Sequence, residues 1–432
     1  MTALLKKPTI TETPTPSLTA TVDQPKLHKA LALIRRAAGG RTTMPVLNNV
    51  LLAAALNDGE DGEDGNLAKP GILTLTASNL EIALSASVPA SHVQRGTTTV
   101  PARLFGDFVA KLPRSETRLE QTSGHGLKVT CEHSTATLRG IEPEKFPPVP
   151  EAPEAPILTL PAAVLKRVLT LTDYAIAKDG SRPVLATLHL QADGRQHLTA
   201  QAADGFRLAR YQVELPKAVA ALDVLLPRGA AVELARLLPD AGDVAVSVLG
   251  PKGHANQLVF RVPGDIPVTL VARLSEGQFP DLRRIIPQEA ATNLTVERAA
   301  LLAAVERVAL FARDAGDVVR LDVQPFASDL SDPQAGTLVL TGATADMGDG
   351  RDELPCTVGG SEGGAVAVLF SSVYLKDVVG ACDGDELRLG INGPMSPVKV
   401  EQPGLEGWVS VLMPMMAMMG GGGGIGGEQR WR

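Results

Sequence analysis

The stretch LHKALALIRRAAGGRTTMPVLNNVLLAAAL, residues 27–56, decides how the chain is read. Residues 27–38 carry apolar side chains at helical spacing and stop at Gly39-Gly40, where the lack of a side chain suits a helix end. The part from Val46 onward reads as a strand. Next, LTLTASNLEIALSASVPA, residues 73–90, alternates as half-buried antiparallel strands do. PARLFGDFVAKLP, residues 101–113, is a helix that opens at Pro101, where φ is already preset, and stops before Pro113.

The unit then recurs. AAVLKRVLTLTDYAIAKDGSRPVLATLHLQA, residues 162–192, repeats helix, basic turn, Pro-Val-Leu and strand, so Pro183-Val184-Leu185 answers Pro45-Val46-Leu47 after 138 residues. HLTAQAADGFRLARYQVEL, residues 197–215, matches the strand pair, and LLPRGAAVELARLLP, residues 225–239, matches the proline-started helix. A third copy is ordered the same way: a helix over 296–312, strands at 318–323 and 338–348, and a helix within 369–382 with Ser371 or Ser372 as N-cap. Strands at 386–391, 396–402 and 408–415 complete it, with Pro414 suggesting an edge strand. Such spacing fits domain repeats, not a solenoid.

Two helices suffice to cover one face of a small sheet, so each repeat is α+β: two helices packed on antiparallel sheet. Proline-rich residues 144–150 and the segment Gly277-Gln278-Phe279-Pro280-Asp281 cannot continue a regular element and mark the boundaries. The expected divisions are a disordered extension over 1–23, repeats over 24–146, 151–275 and 276–419, and a disordered glycine-rich tail over 420–432. Residues 57–69, acidic and glycine-rich, read as a loop inserted in the first repeat.

Composition excludes more than it selects. The 48 acidic and 41 basic residues leave a net charge of −7, which gives no hint of nucleic acid yet permits a locally basic face. Cys131, Cys356 and Cys382 are far apart and odd in number, which favours a reducing cytoplasm and buried thiols over disulfides or a zinc site. No apolar run is long enough to span a membrane. The histidines at 28, 92, 125, 133, 189, 197 and 254 show no metal spacing, and no dinucleotide, phosphate-loop or nucleophile-elbow motif is present. Asp204-Gly205 is explained by hairpin-turn chemistry, and Asp346, Asp349 and Asp352 by a solvated loop. No cofactor, metal or catalytic group is expected.

In its ordered short stretches the chain resembles the bacterial DNA polymerase III beta subunit, the beta sliding clamp family. They are residues 40–47, 76–81, 100–104, 145–147, 181–185, 204–208, 277–287 and 412–415. The resemblance implies a non-enzymatic, head-to-tail homodimer of three-domain subunits, closed into a ring around duplex DNA. It also implies partners, namely the replicative polymerase, the clamp loader and repair polymerases, docking through short linear motifs. Arg41 corresponds to the family's DNA-contacting loop arginine, and Lys178 and Arg182 stand in the equivalent turn of the second repeat. Arg35, Arg36, Lys166 and Arg167 are further candidates for the pore wall, the alternative being an ordinary solvated helix surface. The partner pocket falls on Leu185, Gly205, Arg207, Leu208, Pro227, Val232, Val411, Met413, Pro414 and Met415. For the two methionines, plain strand packing is the competing reading. The sequence departs from the family at Ala203, where a threonine is usual, at Ser78-Asn79, where an acidic residue is usual, and in the extended tail. A scaffold of the same fold without ring closure, and a hydrolase with a convergent acidic cleft, are the alternatives.

Overall fold

The computed structural model describes residues 17–39, 43–56, 70–251, 255–313, 316–325, 335–344, 348–360 and 365–416. Among them, the order strand, helix, four strands, helix, three strands occurs three times in succession. The helices are α1 (Gln24–Ile34), α2 (Ala102–Val109), α3 (Ala162–Thr170), α4 (Arg228–Leu237), α5 (Arg298–Ala309) and α6 (Ser372–Ala381). They pack in pairs, α1 on α2, α3 on α4 and α5 on α6.

Pro101, Pro161 and Pro227 each end a strand and stand at the N-cap of the following helix, with φ between −55° and −57°. A proline there turns the chain without leaving an N–H unsatisfied. In α6 the N-cap position falls to Ser371, but its hydroxyl makes no capping bond; the Ser372 N–H is satisfied instead by the Asp317 carbonyl at 2.7 Å.

Several boundaries differ from the sequence reading. Helix α1 ends at Ile34 and tightens into a 3₁₀ turn, Arg35–Ala37. Val46 and Leu47 lie in a second 3₁₀ turn opened by Pro45, and the strand begins only at Asn49. Val296 and Glu297 belong to the strand Thr292–Glu297, not to the helix that follows. Of the extension expected over 1–23, residues 1–16 lie outside the described residues, and the described end of it is ordered. Thr19–Asp23 is a strand held between Ile82–Gln94 and Glu116–Thr122, with Leu18 and Ala20 fully buried. Its two neighbours satisfy both backbone edges, which TATVD's ordinary strand residues permit. Residues 57–69 and 420–432 lie outside the described residues.

The chain divides into two compact units that do not follow the repeats. The first takes the chain up to residue 156 together with 242–249 and 257–273. Its sheet runs from Ser134–Leu138 through Gly126–Cys131, Glu116–Thr122, Thr19–Asp23 and Ile82–Gln94. It continues into Val268–Arg273, Gln257–Val262 and Asp243–Leu249, all antiparallel. The seam between first-repeat and second-repeat strands pairs Leu84 with Leu270, both fully buried. The proline-rich boundary segment is pinned here: the Arg261 guanidinium donates to the carbonyls of Ala152, Pro153 and Glu154, and Val149 and Ala152 pack on Ala83, Val259 and Val271.

The second unit is built on one twelve-stranded sheet. Its central seam pairs Arg207–Glu214 with Trp408–Leu412, so that Leu208 faces Val411 and Tyr211 faces Trp408. The Trp408 indole N–H reaches the Leu171 carbonyl at 3.0 Å, tying the last strand to the end of α3. Trp408–Leu412 also pairs with Val398–Glu401, so it is an interior strand and not the edge strand that Pro414 suggested; Pro414 lies just past its end.

Candidate functional site

The basic residues sit on helices and in the turns that follow them. In the first unit, Arg35 and Arg36 leave the 3₁₀ turn after α1 beside Arg103 on α2. With Gly39, Asn48, Pro101 and Asp107 they line a cleft of about 720 Å³. Asp107 is the cleft's acidic residue, 3.5 Å from Arg35 and 4.0 Å from Arg103. In the second unit, Lys166 pairs with Asp240 at 2.7 Å and Arg167 with Asp383 at 3.2 Å. Lys178 is exposed, and the Arg182 guanidinium lies against Gly205. Arg41 lies outside the described residues. Ion pairs as exposed as these are worth roughly 0–1 kcal/mol each, so the cations can exchange a carboxylate for a phosphate at little cost. Arg103 was not singled out in the sequence, although its i,i+4 relation to Asp107 was legible there.

Among the expected pocket residues, Gly205, Arg207 and Leu208 lie in or next to one turn. Gly205 has φ +95°, a left-handed conformation that favours glycine. Asp204 closes the turn by accepting from the N–H groups of Phe206 at 2.9 Å and Arg207 at 3.0 Å. The Arg207 side chain, 1% exposed, donates to Asp204 at 2.9 Å and to Asp377 of α6 at 2.7 Å. Its guanidinium lies 4.5 Å from the Tyr374 ring centroid and 5.6 Å from that of Tyr174, and Phe206 stacks on Tyr374 at 5.9 Å. The sequence reading singled out none of Phe206, Tyr174, Tyr374 and Asp377. For the last two, the i,i+3 spacing on one helix face was the available signal.

Leu185, Leu208 and Val411 join Ala177, Ala203, Leu225, Phe279 and Leu282 in one buried cluster, so these three are core residues. Ala203 in that cluster is 2% exposed. Met413 donates its N–H to the Phe206 carbonyl at 2.7 Å and Met415 to the Leu369 carbonyl at 2.8 Å. Both methionines are half-buried, whereas Pro414 is buried. Pro227 pairs with Thr187, two residues beyond Leu185, and Val232 sits half-buried one turn into α4.

Burial raises the Asp173 carboxyl to about 6, against the pull of Arg228 and with the help of Asp377. Burial also raises the thiols of Cys356 to about 11 and Cys382 to about 12, which keeps both protonated. Among the described residues no three potential metal ligands come together, and no helix is long and apolar enough to cross a membrane.

Three family models of the DNA polymerase III beta subunit match the chain in order: the N-terminal domain over residues 18–150, the central domain over 159–281 and the C-terminal domain over 283–416. The chain belongs to the DNA polymerase III beta subunit family. The beta sliding clamp of Synechococcus elongatus is 30% identical over 91% of this chain and 97% of its own length. That of Staphylococcus aureus is 26% identical over 88% and 94%. The crystal structure of the DNA polymerase sliding clamp from Bacillus subtilis superposes with a TM-score of 0.80 at 22% identity, covering 93% of this chain and all of that one, and shows the shared fold. Family members are non-catalytic processivity factors, in keeping with the absence of catalytic motifs in the sequence.

Proposed function

We propose that the chain is a DNA sliding clamp that encircles duplex DNA and tethers the replicative polymerase and other replication and repair factors, without chemistry of its own. The observation that carries this reading is the ordered match of all three family domains to three successive copies of one element order. Three repeats per subunit, divided near residues 147–150 and 276, suit a head-to-tail homodimer closed as a ring, because closure satisfies both ends of a heterologous interface. A cytoplasmic location follows from that work.

On this reading Arg35, Arg36, Arg41, Lys166, Arg167, Lys178 and Arg182 face the duplex, joined by Arg103. The exposed cations of Arg35, Arg36, Arg103, Arg167 and Lys178 suit a protein that must slide, since phosphate contacts position without reading sequence. Partner peptides dock where Phe206, Tyr374, Met413 and Met415 lie half-exposed. Methionine's unbranched side chain adapts to several peptide sequences.

The test is retention on DNA after loading by the cognate clamp loader with ATP. The clamp reading expects the protein to remain on a closed circle and to leave within seconds of linearisation. Equal loss from circle and linear DNA, with a control clamp loaded competently, overturns it.

A further inference from the structure

Beyond Met416 the sequence runs Ala417-Met418-Met419, then eight residues of which seven are glycine, and then Glu428-Gln429-Arg430-Trp431-Arg432. An aromatic tip on a glycine spacer is the layout of a tethered ligand. The described structure ends at Met416, beside a half-exposed apolar surface. The Met413 and Met415 N–H groups bond the Phe206 and Leu369 carbonyls, Phe206 stacks on Tyr374, Val373 next to it is 37% exposed, and Met416 is 47% exposed. We propose that residues 428–432, Trp431 foremost, dock on this surface in the same chain and compete with partner peptides there. This rests on the reading of the surface as the partner pocket.

Length permits it. The ~15 residues from Met416 to Trp431 reach at most about 50 Å when extended, and a glycine-rich chain of that length has a typical end-to-end distance of about 20 Å. The surface begins within a hydrogen bond of Met413, so the tip has ample chain to turn back. Chemistry favours the same occupant. Trp431 is the one aromatic residue after Trp408, and the rings of Phe206 and Tyr374 with the methionines Met413, Met415 and Met416 offer stacking and sulfur contacts to an indole.

Tethering makes a weak ligand count. At an effective concentration of about 1 mM, a tip whose free-peptide Kd is about 0.1 mM holds the site some nine-tenths of the time and lowers a partner's apparent affinity about tenfold. The tail then acts as a threshold: a strong or abundant partner displaces it, and a weak one does not.

Two measurements on the full chain test the proposal. In chain carrying 5-fluorotryptophan, the ¹⁹F resonance that Trp431→Ala removes is expected to be displaced from that of the free peptide of residues 424–432. It should return to the free position with Val373→Asp. In a binding assay with the purified replicative polymerase, Trp431→Ala is expected to bind about tenfold tighter than the native chain. A Trp431 resonance at the free-peptide position, or equal polymerase affinity for both chains, overturns tail docking. The pocket reading is tested separately. If Val373→Asp leaves polymerase binding unchanged in the Trp431→Ala background, the partner site lies elsewhere and competition at this surface is overturned too.

Discussion

Arg207 illustrates how much one side chain can hold. It is almost fully buried between Asp204 of its own turn and Asp377 of α6, with Tyr374 and Tyr174 against its guanidinium. Removing one partner of such a pair leaves the others' charges in a poor solvent. Arg207→Ala is expected to lower unfolding stability by about 3 kcal/mol in urea titration, and Arg207→Lys to recover only part, because an ammonium cannot fork between two carboxylates. Asp173 gives a pH signature. Its pKa in the folded chain, about 6, lies above the ordinary 3.8, so the folded chain holds the proton more tightly than the unfolded one. The associated stability is full below about pH 4 and is lost as pH rises through about 6, a difference of up to about 3 kcal/mol. Asp173→Asn cannot ionise. Relative to the native chain it should therefore gain stability between pH 4 and pH 7.5, and parallel stability curves for the two chains would refute the assignment.

Among the elements, the sheet seams matter more than any helix. The strand Ile82–Gln94 pairs with Val268–Arg273 across nearly two hundred residues of sequence, with Leu84 opposite Leu270 and neither exposed. Leu270→Ala leaves a cavity at that seam and should cost about 2–5 kcal/mol. Hydrogen exchange should localise the loss to both partner strands, the first-repeat strand included. A loss confined to residues 257–273 would mean that the seam is not a cooperative part of the first unit. Of the elements, all six helices were legible from apolar spacing and proline starts. The strand Thr19–Asp23 was not, because Thr-Ala-Thr-Val-Asp next to a polar, proline-rich segment carries little pattern, and its stability comes from two distant neighbours.

At the scale of the whole molecule, a clamp is held by topology and its charges only tune the fit to DNA. Reversing Arg35, Arg36 and Arg103 to glutamate should leave lifetime on a closed circle nearly unchanged while slowing loading several-fold, more so at low salt, where electrostatic steering is strongest. Binding to short linear duplex should fall and lose salt dependence in the same variant. Fluorescence anisotropy across a salt series and loading kinetics read the two effects separately. A lifetime on circles that tracks the arginine count would instead mean that the protein clings electrostatically.

The sequence by itself determined the α+β class, the threefold repetition, the presence of the helices and the Asp204-Gly205 turn. Each is written in local spacing: apolar periodicity, prolines before helices, and a glycine where φ must be positive. Only the tertiary structure decided that Leu185, Leu208 and Val411 are buried together in one cluster. It likewise decided that Arg207 is clasped by a carboxylate 170 residues away, and that strands from successive repeats share continuous sheets whose compact units cut across the repeats. Burial and strand pairing between distant segments depend on which surfaces meet, and no local pattern encodes that.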